Sequence, residues 1–476
     1  MADKLREEVK ARLSRKESPA RLRAELIQAG YAEHDVDAAM KHGADDHVVE
    51  KSSVDRYNSR LLSIREFIDR IGYGTASPQF INILFYLSGS GLFLLGLLNG
   101  LRTVLSMLIT AVAQEYAKVH KVSKGVIVSA GVLFGFSFLL MAAALRLRIV
   151  WLFGFGILLA AIGVVTYGDL YNKLVTETIK REKMGYVLRR MGHYGVLITM
   201  LAMLASGWLI DRFPESRQLT FSLFGMKFHV LGYVLSFLLT AIAFIISGYL
   251  LSFLKGEREE RKYNLVRFVH EHCRMLHGHI KSFFKDKYIM LLIIATVITG
   301  LLEILGQSYY GLFIYQHFRH SALGGFLNVG LLYGIAIIAS FTGPWFTRKL
   351  QRTIGLSPML VFGTLLTAIL PLTLVYNAYF FAVAIALVCS VIGGAIVGVA
   401  QGLLARKLMD EATRRKYFMS LGLLVSGPYL VLVPLGALLT YMLGMEALFL
   451  LVGLGLAIIV APLYFILVAM ANKQRL

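Results

Sequence analysis

The chain has 476 residues, 57% hydrophobic and only 16% charged, with a formal net charge of +20. Ordinary soluble domains are about 25% charged, so this composition excludes a soluble globular enzyme. Apolar runs of about 20 residues recur, each long enough to cross a hydrocarbon core of about 30 Å, and no strand-like alternation suggests a β-barrel. The chain reads as an all-α polytopic membrane protein.

Residues 1–50 read as a cytosolic helical segment. Ser18-Pro19 offers a helix start and Gly30 a stop. Residues 51–76 read as a charged juxtamembrane approach, and no signal peptide precedes them. Twelve spans follow. Six lie near 79–98, 100–118, 125–144, 149–169, 193–211 and 228–253, within a bundle 77–253. Six more lie near 288–314, 323–346, 357–376, 379–403, 418–440 and 446–470, within a bundle 288–470. Between the bundles, 254–287 is basic and amphipathic and suits the membrane surface. It holds His270, Cys273 and His277, which read as interfacial side chains rather than a metal site. A short tail, 471–476, closes the chain. Two cysteines, Cys273 and Cys389, support no disulfide framework.

Charge sets the expected orientation. With the N-terminus in the cytoplasm, the inner connections and tail hold 28 Lys and Arg and the outer ones 6. That bias places both termini inside, in the cytoplasmic membrane. The same bias accounts for the net positive charge, so nucleic acid is not an expected partner.

The halves resemble each other at an offset of 230. Gly100 pairs with Gly330, Gly125 with Gly355, Gly163 with Gly393, Gly168 with Gly398 and Gly192 with Gly422. A same-direction repeat of six helices is the mark of a transporter built from two parallel halves. Twelve spans, a basic central segment and this repeat resemble the major facilitator superfamily. One local motif adds to the resemblance. In the family, a glycine is followed four residues later by an acid and then by basic residues, after the second and eighth helices. The eighth-helix copy here is "GPWFTRKLQRTIG", where Gly343, Arg348 and Lys349 fit and Thr347 stands for the acid. The second-helix copy, "AQEYAKVHKVSKG", keeps Lys118 and has Glu115 out of register.

The resemblance implies a cavity lined by spans one, two, four, five, seven, eight, ten and eleven. Glu303 lies on span seven, in an otherwise apolar run where a lipid-facing acid would be costly. Thr299, Glu303, Gln307 and Tyr310 fall on one helical stripe, which predicts a wet face with Glu303 bearing substrate or exchanging protons. Asn82, Tyr86 and Ser90 form a similar stripe on span one. Arg102, near the outer end of span two, is placed to attract an anion or to snorkel. Asp169, Lys173 and Glu177, with Arg189 and His193, read as a solvated helix end or as ion pairs of the inner gate. No Gly-x-x-x-x-Gly-Lys-Ser/Thr loop is present, and no enzyme constellation or cofactor motif. The expected function is secondary transport of a small molecule, either downhill or driven by protons or another ion, by a monomer in the lipid bilayer. The alternatives are a sensor or scaffold of the same fold, or a lipid-handling protein.

Overall fold

The computed structural model describes residues 9, 12, 19–29, 31, 33–119, 124–178, 181–223, 226–255, 278, 280, 283–321, 323–376 and 379–473. For part of these, including 41–53, 181–191 and 221–229, the backbone alone is described. His270, Cys273 and His277, and most of the amphipathic segment, lie outside the described residues.

Short helix α1 (Pro19–Gln28) leads into a 43-residue helix, α2 (Glu33–Thr75). Their crossing buries Leu22, Leu26, Val36 and Ala39, with Val9, in a small core separate from the main one. Arg23 bridges to Glu33 and Asp37 across it.

The first bundle begins in the second half of α2, which corrects the expected first span. Residues 51–76 are no approach to the membrane. The second half of this helix belongs to an apolar stretch and packs between α7 (Arg181–Arg212) and α8 (Gly232–Leu250). A break at Ala76-Ser77 and Pro78 leads into α3 (Pro78–Phe85) and a π-helical turn, Tyr86–Ser90. There Gly89 and Gly91 take φ of +100° and +73°, a region open to glycine without a Cβ clash. The chain reverses here. Phe85 before the turn and Leu98 after it, on α4 (Gly91–Val119), both meet Phe153-Gly154 of α6 (Val150–Thr178). The stretch Arg56–Gln114 is therefore two passes. With the ten other apolar segments, α5 (Lys124–Leu147) among them, the described residues make twelve passes.

A two-stranded hairpin, β1 (Leu219–Leu223) and β2 (Met226–Val230), precedes α8. The sixth span thus starts after 230 rather than at 228. The second bundle comprises α9 (Lys287–Phe318), α10 (Gly325–Thr353), α11 (Leu356–Val375), α12 (Phe380–Leu408) and α13 (Glu411–Leu443). Its last pass is α14 (Met445–Leu454) and α15 (Ala461–Lys473) around a π turn. One end of the molecule carries the hairpin. The other, the terminal end, carries the chain ends.

The repeat is visible in the contacts. Helices α6 and α12 start at Val150 and Phe380, and α7 and α13 at Arg181 and Glu411, each pair 230 residues apart. Gly100 of α4 meets Val433 of α13, and Gly330 of α10 meets Met203 of α7. Each residue of one contact lies 230 positions from its counterpart in the other. Gly192 against Phe341 and Gly422 against Ala111 form a second such pair. The bundles are therefore joined by two equivalent seams, α4–α13 and α7–α10.

Candidate functional site

The seams are tightest toward the hairpin end. A Cβ on Gly100 would lie 2.2 Å from Val433 Cγ1, and one on Gly207 would lie 2.8 Å from the Phe326 carbonyl. Polar links close the same end. Asp211, at the end of α7, accepts from the Phe326 and Leu327 amides at 3.0 and 2.7 Å, capping the other bundle's α10. Gln79 and Asn82 of α3 donate to the Gln307 and Ser308 carbonyls of α9 at 3.5 and 3.4 Å. The Tyr309 hydroxyl donates to the Leu92 carbonyl at 3.0 Å.

Toward the terminal end the bundles part around a cavity of about 340 Å³. Its wall is Thr299, Gly300 and Glu303 of α9, Gly394, Gly398 and Gln401 of α12, and Gly422 and Tyr429 of α13, with Met107 of α4 opposite. A second pocket of about 230 Å³ continues it past Met107 and Phe418 to Thr110 and Gln114. Small residues make the space. No atom comes within 4 Å of where a Cβ would sit on Gly394, Gly398 or Gly402, one turn apart on α12. The Tyr429 hydroxyl fills the place a Cβ would take on Gly300. Thr299 shares a hydrogen bond with the Tyr464 hydroxyl at 3.1 Å, and Gln401 donates to the same hydroxyl.

Glu303 is half-buried in this wall, and its carboxylate has no hydrogen-bond or ion-pair partner among the described residues. Every other residue of the wall is uncharged. An unpaired carboxylate in a low-dielectric wall is costly unless water or a ligand meets it, so its place is at the wet surface of the cavity.

The rest of the expected stripe divides. Thr299 lines the cavity. Tyr310 turns into the second bundle, where its ring lies 5.2 Å from that of Phe449. Gln307 is exposed but belongs to the hairpin-end closure through its carbonyl. The stripe is about three turns long, so its ends reach different surroundings, the cavity at Thr299 and the second bundle at Tyr310. The span-one stripe is also corrected. Asn82 is buried in the closure, while Tyr86 and Ser90 are the first and last residues of the π turn, both half-buried. The π turn destroys the helical register that would have aligned them. Arg102 lies about 16 Å along α4 from its hairpin end, by helical rise, so it is not near the outer end. It is half-buried and without an ion-pair partner among the described residues.

The eighth-helix motif is not a loop. It forms the last turns of α10, which runs to Thr353. Gly343 packs against Ala395 of α12. Thr347 is buried and donates to the Gly343 carbonyl at 2.8 Å, so it satisfies itself within its own helix. Arg348 and Lys349 are exposed, with the Lys349 ammonium over the Trp345 ring. Asp169 accepts weakly from Gln114, at 3.5 Å, joining α6 to α4 near the second pocket. The side chains of Glu115, Lys118, Glu177, Arg189 and His193 lie outside the described residues.

One polar cluster was missed by sequence reasoning. Arg65 and Asp69 of α2 are buried and paired one helical turn apart. Arg65 also reaches Glu66 at 3.3 Å, donates to the Tyr167 hydroxyl at 2.9 Å and stacks 3.4 Å from the Tyr171 ring centroid. Ser247 donates to Asp69 and lies 2.8 Å from the Tyr167 hydroxyl. The cluster binds α2, α6 and α8 into one unit. The signal available was a charge pattern, Arg65, Glu66, Asp69 and Arg70, whose i to i+4 spacing matches neutralising pairs.

Comparison with known proteins agrees with this architecture. The family model described as Major Facilitator Superfamily matches residues 228–416. No curated protein matches the chain in sequence. Among solved structures, that of the nucleoside transporter NupG is similar over 86% of this chain and 98% of its own, at 11% identity and a TM-score of 0.64. A bacterial homologue of the iron transporter ferroportin, in an inward-facing state, is similar over 86% and 98%, at 15% identity and 0.62. A POT family transporter in complex with 5-aminolevulinic acid is similar over 88% and 96%, at 14% identity and 0.59. Residues 228–416 are therefore similar in sequence to the Major Facilitator Superfamily, and the two bundles share the fold of these solved transporter structures.

Proposed function

We propose that the chain is a secondary transporter that carries a small solute through the space between its bundles by alternating access. The observation that carries the reading is Glu303. It is an unpaired carboxylate in an otherwise neutral wall, where two bundles are shut at one end and part toward the other. Thr299, Gln401 and Tyr429 supply hydrogen-bonding groups around it, and the glycines of α12 leave room for the solute. Glu303 meets the cationic group of the solute or exchanges a proton with the terminal side. The basic bias of the terminal-end connections supports placing that end in the cytoplasm, so the conformation described is one open to the inside. The solute transporters among the similar structures support the same class of function without naming the solute.

Counterflow in proteoliposomes tests this. Purified protein is loaded with a panel of unlabelled solutes, and uptake of each labelled solute is followed. Glu303→Gln keeps size and hydrogen bonding but cannot exchange a proton, and it should abolish the pH dependence of uptake. Counterflow by the wild type with an unchanged pH profile in Glu303→Gln would make Glu303 structural. No counterflow with any solute would favour a non-transporting role.

A further inference from the structure

A groove of about 530 Å³ lies between α2 and α7, near the terminal end. All of its lining comes from these two helices, with none from the second bundle. The orientation of α7 shows where it opens. Gly192, Met203 and Gly207 face α10, and Gly195 faces Arg70 of α2. Tyr194 and Leu201 lie on a third face and are 63% and 54% exposed. That face is apolar and touches neither bundle partner, so it is the bilayer-facing side. Ile64 and Phe67 of α2, 54% and 52% exposed, flank the groove on the same side.

The groove is not uniformly apolar. Arg60 sits at its terminal-end mouth, exposed and without an ion-pair partner among the described residues. Ser59 and Ser63 stand beside it. Ten residues further along α2, about 15 Å by helical rise, Arg70 closes the floor, held by Glu66 at 2.7 Å. A cation and the Ser59 hydroxyl therefore lie at the terminal-end mouth, while the Ser63 hydroxyl donates to the Ser59 carbonyl at 2.9 Å. Apolar side chains line the depth below them. This is the profile of an amphiphile with an anionic head.

We infer that the α2–α7 groove is a binding site for an anionic phospholipid. Its phosphate meets Arg60 and the Ser59 hydroxyl, and one acyl chain lies along Ile64, Phe67 and Ile198. The site is separate from the solute cavity and does not depend on transport. Because Glu66 links Arg70 to Arg65, the lipid sits against the buried cluster that ties α2 to α6 and α8.

Native mass spectrometry of the full, delipidated chain in detergent tests the assignment. Phosphatidylglycerol and phosphatidylcholine are titrated separately, with inorganic phosphate as competitor. Phosphatidylglycerol should be retained over phosphatidylcholine. Arg60→Gln should weaken its retention about fivefold, the loss expected for one interfacial cation. Ser63→Trp, which fills the groove, should do the same by a different route. Arg406→Gln, exposed at the same end on α12, should change nothing. Equal retention of the two lipids, an unaffected Arg60→Gln, or an equal loss in Arg406→Gln would overturn the proposal. Displacement by inorganic phosphate, or a polypeptide adduct in place of lipid, would also overturn it, since the groove would then serve another ligand.

Discussion

Gly100→Ala gives the sharpest test of the closed hairpin end. The new methyl would lie 2.2 Å from Val433 Cγ1 and 2.9 Å from its Cβ. Carbon atoms settle about 3.5–4.0 Å apart, so the helices must separate by more than 1 Å or Val433 must move. Val433 is buried and β-branched, and such side chains have few rotamers to use. Overpacking of this kind costs about 1–3 kcal/mol. The contact exists only while the hairpin end is shut, so the cost falls on that state alone. The population should shift toward a hairpin-open state by about 5- to 150-fold, at 1.4 kcal/mol per tenfold. Spin labels at Arg217 of the first bundle and Leu323 of the second, in a Cys273→Ser/Cys389→Ser background, would report it as a longer distance by double electron–electron resonance. Val433→Ala in the same chain removes the opposing methyls and should restore the original distance. The counterpart Gly330→Ala meets its nearest atom only at 3.2 Å and should shift the distance less. An unchanged distance in Gly100→Ala, or a failure of Val433→Ala to rescue it, would refute the view that this seam is a moving contact.

Asp211→Ala removes the cap on Phe326 and Leu327 and should weaken hairpin-end closure by about 0.5–2 kcal/mol, read by the same pair of labels; a distance equal to wild type counts against a latch. Arg65→Met leaves Asp69 buried without its cation and should cost about 3–5 kcal/mol, seen as a large fall in the thermal midpoint in detergent. Arg65→Met/Asp69→Leu should recover most of that fall, and a double variant as unstable as the single one would mean that the pair is not the source of the loss. Asp410 caps α13 outside the membrane spans. The Thr413 hydroxyl, then the Thr413 and Ala412 amides, hold its carboxyl below the usual range. A depressed carboxylate contributes stability above its unfolded value, near 3.9, and loses it as pH falls through the folded one. Amide protection in the first turn of α13, taken relative to the intrinsic exchange rate at each pH, should therefore fall below about pH 4 in the wild type and show no such step in Asp410→Asn.

Much of the architecture can be read directly from the chain. Spans three to five and seven to twelve are continuous apolar runs, and no tertiary partner is needed to recognise a segment that fits the bilayer. The offset of 230 among the glycines is also legible, because each seam glycine is held by a steric need that recurs in the other half. Glu303 stands out for the same reason, as an acid where an acid is expensive. The first span is different. Arg65, Glu66, Asp69 and Arg70 give residues 56–75 the look of a solvated segment. Only the folded molecule shows Tyr167, Tyr171 and Ser247 meeting those charges from helices about 100 and 180 residues away. A charge is tolerated in a membrane when it is paired, and pairing across that separation leaves no local trace. Register failed in the same way at Asn82, Tyr86 and Ser90. A π turn closed by Gly89 and Gly91 shifts the helical phase there. The direction each side chain faces is then decided by how α3 packs on α9, not by spacing along the chain.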